Sequence, residues 1–253
     1  MNQTREHLKC PLPAIVLLAC AVLFAGCANT AKMVRDGDRA LQSGDYGLAA
    51  QSYKSIAHDE RDEDVTLKLA WLYWKQDQCQ ACLRELEQIT QNRPAQADYL
   101  AALCYLRQND LTRARRHTEI SLQGDPRNSL TVGLLGQILF LEKQYPQSIE
   151  AYRKSLEMAS DPSVRLKLHY NLAMAQLAAG DFAAADESFK QYLVRQRYVS
   201  SDDNRTAGAI AYARGDHQRA YRHWSQLDPV EKKQILDVIG NESEQYLQLA
   251  GRR

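Results

Sequence analysis

GDYGLAAQSY, residues Gly44 to Tyr53, returns as GDFAAADESF at Gly180 to Phe189 and as GDHQRAYRHW at Gly215 to Trp224. Each copy opens with a Gly-Asp turn, places a small residue five positions after its glycine, and places an aromatic four positions beyond that. Taking the small residue as a reference extends the pattern to six sites: Ala49, Cys82, Ala114, Ser148, Ala185 and Ala220. A second, independent column lies twelve positions upstream, at Gly37, Ala70, Ala102, Gly136, Ala173 and Gly208, where every residue is Gly or Ala. A third lies four positions downstream, at Tyr53, Leu86, Thr118, Tyr152, Phe189 and Trp224, and is mostly large. Small residues let two helices approach closely, and large ones fill the space between them, so the columns predict paired helices. Pro94 and Pro126 close the second and third units, since proline does not continue a helix.

A period near 34 residues with these three columns resembles the tetratricopeptide repeat (TPR) family across residues 31–228. The resemblance implies an all-α fold: six helix-turn-helix repeats stacked as a right-handed α-solenoid. Their expected bounds are 30–62, 63–94, 95–128, 129–162, 163–200 and 201–228. Residues 229–253 are expected to form capping helices, Val230 to Ile239 and Glu242 to Leu249, over the last apolar face. Two departures stand out. Thr118 occupies a site for a large residue, which predicts looser packing in the third unit. Extra residues near Ser160 to Val164 predict splaying of the fourth and fifth.

The first 27 residues have a different character. Arg5 and Lys9 precede the apolar run Ala14 to Ala25, which is short for a membrane span and has the flanks of a secretory signal peptide. Leu23-Phe24-Ala25-Gly26-Cys27 resembles a bacterial lipobox. That likeness implies cleavage after residue 26, lipidation at Cys27 and a short linker over 27–30. Ala28 in place of Asp implies an outer-membrane destination, with the body facing the periplasm. Several acyl chains on one residue would anchor the chain firmly. The whole chain has 32 basic and 31 acidic residues, so no overall field draws it to nucleic acid.

Parts for catalysis are not evident. The chain has no Gly-rich phosphate loop, no His-Glu-x-x-His and no nucleophile elbow, and no cofactor or metal is expected. Cys79-Gln80-Ala81-Cys82 is the sharpest chemical motif, and three readings of it stand side by side. Cys104, in the next unit, forms a structural disulfide with Cys79 or Cys82, as an oxidising compartment favours. Alternatively the thiols are buried and inert, with Cys82 standing in for Ala. The third reading is thiol exchange near a helix N-terminus, although such chemistry normally sits in a βαβ setting. The acidic run Asp59 to Asp64 reads as a helix-starting loop, and Arg113, Arg115, Arg116 and His117 as a solvated basic face.

The informative columns lie on the first helix of each unit. Four places past its small residue come Leu41, Trp74, Leu106, Phe140, Leu177 and Tyr212. One place past it come Trp71, Leu103 and Met174, and three before it Val34, Leu67, Tyr99 and Tyr170. These offsets share one helical face. An apolar face of this extent needs cover. Either it takes an apolar peptide or amphipathic helix from a protein partner, or superhelical closure and the C-terminal tail bury it. Among lipidated TPR proteins the chain resembles type IV pilotins and the lipoprotein of the tight-adherence (Flp) pilus system. That likeness implies a segment of a secretin or pilus assembly protein as partner. A TPR adaptor for peptidoglycan hydrolases, proteases or exopolysaccharide export is the alternative, and a Cys79/Cys82 thiol-exchange protein the alternative of another class.

Overall fold

The computed structural model describes residues 29–239 apart from residue 92. The expected signal peptide, Cys27 and the helix expected over 242–249 lie outside the described residues. Among the described residues all regular structure is helical. α1 covers residues 29–42. It is followed by α2 (Tyr46–Lys54), a 3-10 turn (His58–Glu60), α3 (Glu63–Lys75) and α4 (Cys79–Glu87). Then come α5 (Ala95–Arg107), α6 (Leu111–Gly124), α7 (Ser129–Leu141), α8 (Tyr145–Met158), α9 (Pro162–Ala178) and α10 (Phe182–Leu193). The last three are α11 (Ser201–Ala213), α12 (His217–Trp224) and α13 (Pro229–Ile239). They form two compact units divided after Arg93: α1 to α4, and α5 to α13.

Every hairpin turns in the same way. Five positions before each reference residue the backbone enters the left-handed region, at Gly44, Asp77, Asn109, Lys143, Gly180 and Gly215, with φ between 59° and 82°. The next N–H reaches back five residues, as from Asp45 to the Ala40 carbonyl (2.9 Å) and from Gln144 to that of Leu139 (2.8 Å). This is a Schellman closure, which satisfies carbonyls that the helix end would otherwise orphan. Asp45, Asp110, Asp181 and Asp216 then cap the second helix, each accepting from a backbone N–H three residues on. Glycine supplies the left-handed residue in three turns only. In the others the paired backbone bonds hold Asp77, Asn109 and Lys143 there at a modest conformational cost.

The three columns meet inside the hairpins. All six reference residues have no exposed surface, and the upstream Gly and Ala residues are all buried. The downstream plugs are 0–4% exposed. A Cβ at Gly37 would lie 2.5 Å from the Tyr53 ring, one at Gly136 would lie 2.8 Å from the Tyr152 ring, and one at Gly208 would overlap the Trp224 indole. Glycine is required at these three sites because an aromatic face sits directly on the backbone.

Thr118 does not loosen the third hairpin. It is fully buried, its hydroxyl donates to the Ala114 carbonyl (2.8 Å), and nearby Ser121 donates to Ala95 (2.8 Å). Small hydrogen-bonded side chains replace one large plug there. The extra residues near Ser160 do not form a spreading loop either. Asp161 caps α9, Pro162 occupies its first turn, and the helix lengthens to 17 residues. Leu168 and Leu172 of α9 pack with Tyr152 and Ala159 of the preceding hairpin.

Arginines tie the C-terminal ends of second helices to neighbouring segments. Arg61 donates to the Ile56 and Lys54 carbonyls after and within α2 and pairs with Glu85 (3.3 Å). Arg93 donates to Leu86 (2.5 Å), and Arg165 to Leu156 and Ala159 (2.7 and 3.1 Å). The strongest charged node is Asp186 of α10, whose side chain is 3% exposed. It accepts from Lys190 (2.8 Å) and from Arg214 and Arg219, which belong to the last hairpin. Burial alone would raise its pKa, but the hydrogen bonds and charges of Arg219 and Lys190 bring it down to about 2.

Substituting Gly136 by Ala should cost about 1–3 kcal/mol, read as a lower urea midpoint, because the Tyr152 ring has little room to retreat. Asp186 has a folded pKa below its unfolded value near 4, so its stabilisation is present at neutral pH. That stabilisation, about 2 kcal/mol, should disappear as pH falls from 4 through 2. Asp186→Asn should flatten the acid limb of the stability curve in that window, checked by urea melts at stepped pH.

Candidate functional site

The first helices of the second unit, α5, α7 and α9, carry the predicted face. Tyr99, Leu103, Leu106, Phe140, Tyr170, Met174 and Leu177 are all half-buried there, neither core nor fully open. They rest on the residues that are core. Leu106, Leu103 and Tyr99 pack against Ala102, Leu134 and Ile138, while Tyr170, Met174 and Leu177 pack against Ala173, Phe189 and Ile210. The aromatics are held by second-helix rings. Tyr170 lies 6.1 Å from Phe189 and 5.3 Å edge-on from Tyr192, and Phe140 lies 5.7 Å from Tyr145, centroid to centroid. Rings fixed from behind offer contact area at low entropic cost.

Two hollows sit on this face. One, of about 540 Å³, is lined by Phe140, Leu141, Tyr152, Tyr170, Met174, Leu177 and Ala178. The other, of about 180 Å³, is lined by Tyr99, Leu103, Leu130, Leu134, Val164, Lys167 and Leu168 among others. Gln137 of α7 and Asn171 of α9 line both, so the hollows adjoin across a pair of carboxamides. Among the described residues neither side-chain amide has a hydrogen-bond partner. The sequence reading missed this pair. A usable signal was present, since Gln137 is the one long polar residue in SLTVGLLGQILFL and occupies the offset held elsewhere by Trp71, Leu103 and Met174.

In the first unit, Leu67, Trp71 and Trp74 are likewise half-buried on α3. Trp71 packs with Leu41 and Val34 against the core and meets the Tyr46 ring edge-on at 5.5 Å. The Lys75 ammonium lies 5.2 Å from the Trp71 ring centre and 5.3 Å from that of Trp74, a cation shared by two indoles.

Tyr212 has a different setting. It stacks on His217 (4.7 Å) and meets Trp224 at a tilt (5.7 Å), and Ile235 and Ile239 of α13 pack onto the same cluster. Here Tyr212 stays half-buried, and together with Ile235 and Ile239 of α13 it lines a hollow of about 420 Å³. The two adjoining hollows with carboxamides between them lie on α5, α7 and α9.

Cys79, Cys82 and Cys104 are buried as thiols, so the expected disulfide from Cys104 to Cys79 or Cys82 is not formed. Cys82 fills the small reference position, and Cys104, two residues beyond Ala102, likewise has no exposed surface. Buried sulfurs are also ill placed for thiol exchange, which needs an accessible thiolate. Asp62 of the acidic run caps α3 through Val65 (2.8 Å), and Asp64 pairs with Lys68 (2.7 Å). The basic face of α6 is largely paired: Arg113 with Asp110, Arg115 with Glu119 and Glu142, and His117 with the buried Asp98. No group of three metal-ligating side chains occurs among the described residues.

Tetratricopeptide-repeat models match residues 40–104, 132–162 and 166–193. The chain has the tetratricopeptide-repeat fold. It is 24% identical over 192 residues to the DnaJ homolog subfamily C member 7 homolog of Schizosaccharomyces pombe. That match covers 72% of this chain but 35% of the relative, so the chain spans about a third of that protein's length. Among solved structures it is similar to PilW, described as a widely conserved type IV pilus biogenesis factor (TM-score 0.67, 21% identity, 86% of this chain and 98% of that one). It is also similar to PilF of Pseudomonas aeruginosa (TM-score 0.66, 16% identity, 89% and 99%). These repeats are a scaffold for binding other proteins.

The thiol assignment predicts the outcome of unfolding without reductant in an alkylating reagent. Peptides bearing Cys79, Cys82 and Cys104 should all be recovered alkylated by mass spectrometry, and a Cys104-linked peptide would contradict it.

Proposed function

We propose that this chain is a non-catalytic, lipid-anchored protein of the bacterial outer membrane that faces the periplasm. It binds an apolar segment of a protein partner in pilus or secretion-system assembly. The observation that carries the reading is the adjoining pair of hollows on α5, α7 and α9, walled by Tyr99, Leu103, Phe140, Tyr170, Met174 and Leu177. An apolar face of this kind on a repeat scaffold suits a partner segment that buries hydrophobic side chains. The pilus assignment draws support from likeness to PilW and PilF, and the anchor from the lipobox at Cys27.

The chemistry of the face defines the partner more closely. Aromatic walls favour bulky apolar side chains, and Gln137 with Asn171 offers both donors and acceptors to polar groups between them. A segment with a hydrophobic residue on either side of one exposed backbone amide would satisfy both parts. Trp71 and Trp74 form a second apolar patch, in which Lys75 supplies the cation a partner carboxylate would pair with.

The test is photo-crosslinking in cells from positions 140 and 174, with identification of the captured protein. A pilus or secretin component is the expected capture. Met174→Lys should weaken that partner about 30-fold, on the scale of one hot spot near 2 kcal/mol. Gln137→Ala should weaken it less while leaving the melting temperature unchanged, because that side chain is exposed. Undiminished capture by the Met174→Lys variant would remove this face from the function.

A further inference from the structure

The segment joining α10 to α11, Val194 to Val199, exposes apolar side chains that the nearby core does not take in. Val194 is 81% exposed, Tyr198 79% and Val199 52%. Loose ends do not account for this. Leu193 and Tyr192 pack into the core just before the segment. Just after it, Ser200 and Asp203 form a complete capping box at the start of α11. The Tyr192 hydroxyl donates to Asp203 at 2.9 Å, which ties the two ends together. The segment is therefore held at both ends with its hydrophobic side chains turned to solvent.

Its charges have one sign. From Lys190 to Ser201 the chain carries Lys190, Arg195 and Arg197 and no carboxylate. Arg197 is exposed and has no ion-pair or hydrogen-bond partner among the described residues, while Arg195 is held by Gln191 through its carbonyl (2.5 Å) and side-chain oxygen (2.9 Å). The neighbouring carboxylates are engaged: Asp202 pairs with Arg205 (3.0 Å), and Asp203 serves Ser200 and Tyr192. Partial burial, aided by the charges of Arg195 and Arg165, holds the His169 imidazole below its ordinary pKa. The cationic character thus extends past the segment onto α9.

Two arginines flanked by valines and a tyrosine, in the order Val194-Arg195-Gln196-Arg197-Tyr198-Val199, match the layered chemistry of a phospholipid surface. Arginine heads sit at the phosphates while aliphatic stems and apolar side chains enter the boundary below, and tyrosine favours that boundary. We propose that residues 194–199 form a second, reversible contact with an anionic phospholipid surface. Two cations and three modest apolar groups give a weak contact on their own. Once the chain is held at a membrane by other means, the effective concentration is high enough for a weak contact to be occupied. The segment then sets how the body is oriented at the surface rather than whether it arrives there. The proposal goes beyond the partner-binding reading and shares with it only the placement at a membrane.

The experiment uses the full chain reconstituted in vesicles of phosphatidylethanolamine and phosphatidylglycerol (7:3), in pure phosphatidylcholine vesicles, and in detergent. Flotation reports attachment, and hydrogen–deuterium exchange of peptides covering 190–200 reports the contact. Exchange at 197–199 should slow at least fivefold on the anionic vesicles relative to both controls. Arg195→Gln/Arg197→Gln and Val194→Ser/Tyr198→Ser should each abolish the protection without lowering flotation. Equal exchange in all three settings, with flotation intact, overturns the segment's role and leaves the anchor standing. Slowing that appears only after a periplasmic extract is added also overturns it and assigns the segment to a protein. A Cys27→Ser chain should float on no vesicle and lose the protection, because the segment alone is too weak to hold the chain; protected flotation of that variant on anionic vesicles would overturn the secondary character of the contact. An unsubstituted chain that floats on no vesicle overturns both the anchor and the segment's role.

Discussion

The structure depends on one steric match that recurs along the chain. A residue with almost no side chain on the first helix of each hairpin lies under a plug on the second, sixteen positions later: Gly37 under Tyr53, Gly136 under Tyr152, Gly208 under Trp224. Helices brought this close bury the plug completely, and burial of one such side chain is worth about 1.5–3 kcal/mol. The turns serve that approach. Their left-handed residue and five-residue backbone closure reverse the chain in the shortest distance, so the two helices leave the turn already in contact.

Once the hairpins are fixed, the exposed side of the first helices is fixed with them. An α-helix that gives one stripe to its own hairpin and another to the next has only a third stripe left for solvent. In α7 and α9 that third stripe is still apolar, with Phe140, Tyr170, Met174 and Leu177 half-covered and walled from behind by rings. Rigidity at such a face comes from the hairpin core. A partner would meet side chains whose rotamers are already selected, so little ordering entropy would remain to be lost on binding.

Much of this was legible in the sequence because helix pairing is a local, periodic constraint. The column from Ala49 to Ala220 located every turn, since the left-handed residue falls five positions before it even where Asp77, Asn109 or Lys143 replaces glycine. The half-buried stripe was legible for the same reason. The features that stayed hidden involve partners set by three dimensions. Thr118 reads as a defect until its hydroxyl is seen to bond along its own helix beside Ser121. Cys104 reads as a disulfide partner until it is seen as a fully buried thiol. Tyr212 matches the groove column, yet its hollow is shared with α13, and no periodicity announces where a terminal helix will lie. Gln137 and Asn171 occupy one shared polar patch although 34 residues separate them in the chain.

The plugs differ from one another: Tyr53, Leu86, Thr118, Tyr152, Phe189 and Trp224. Their small counterparts differ in step, Gly opposite Tyr or Trp, and Ala opposite Leu, Thr or Phe. Tandem chains are prone to docking one repeat's helix into its neighbour's place while folding. Here an exchanged pairing meets either an overlap, an indole forced onto an alanine, or a void, a threonine over a glycine. Unequal side-chain sizes act as keys that distinguish one hairpin from the next. Neighbouring hairpins therefore never share a pair, and among the six only the first and fourth, each with Gly opposite Tyr, carry the same one.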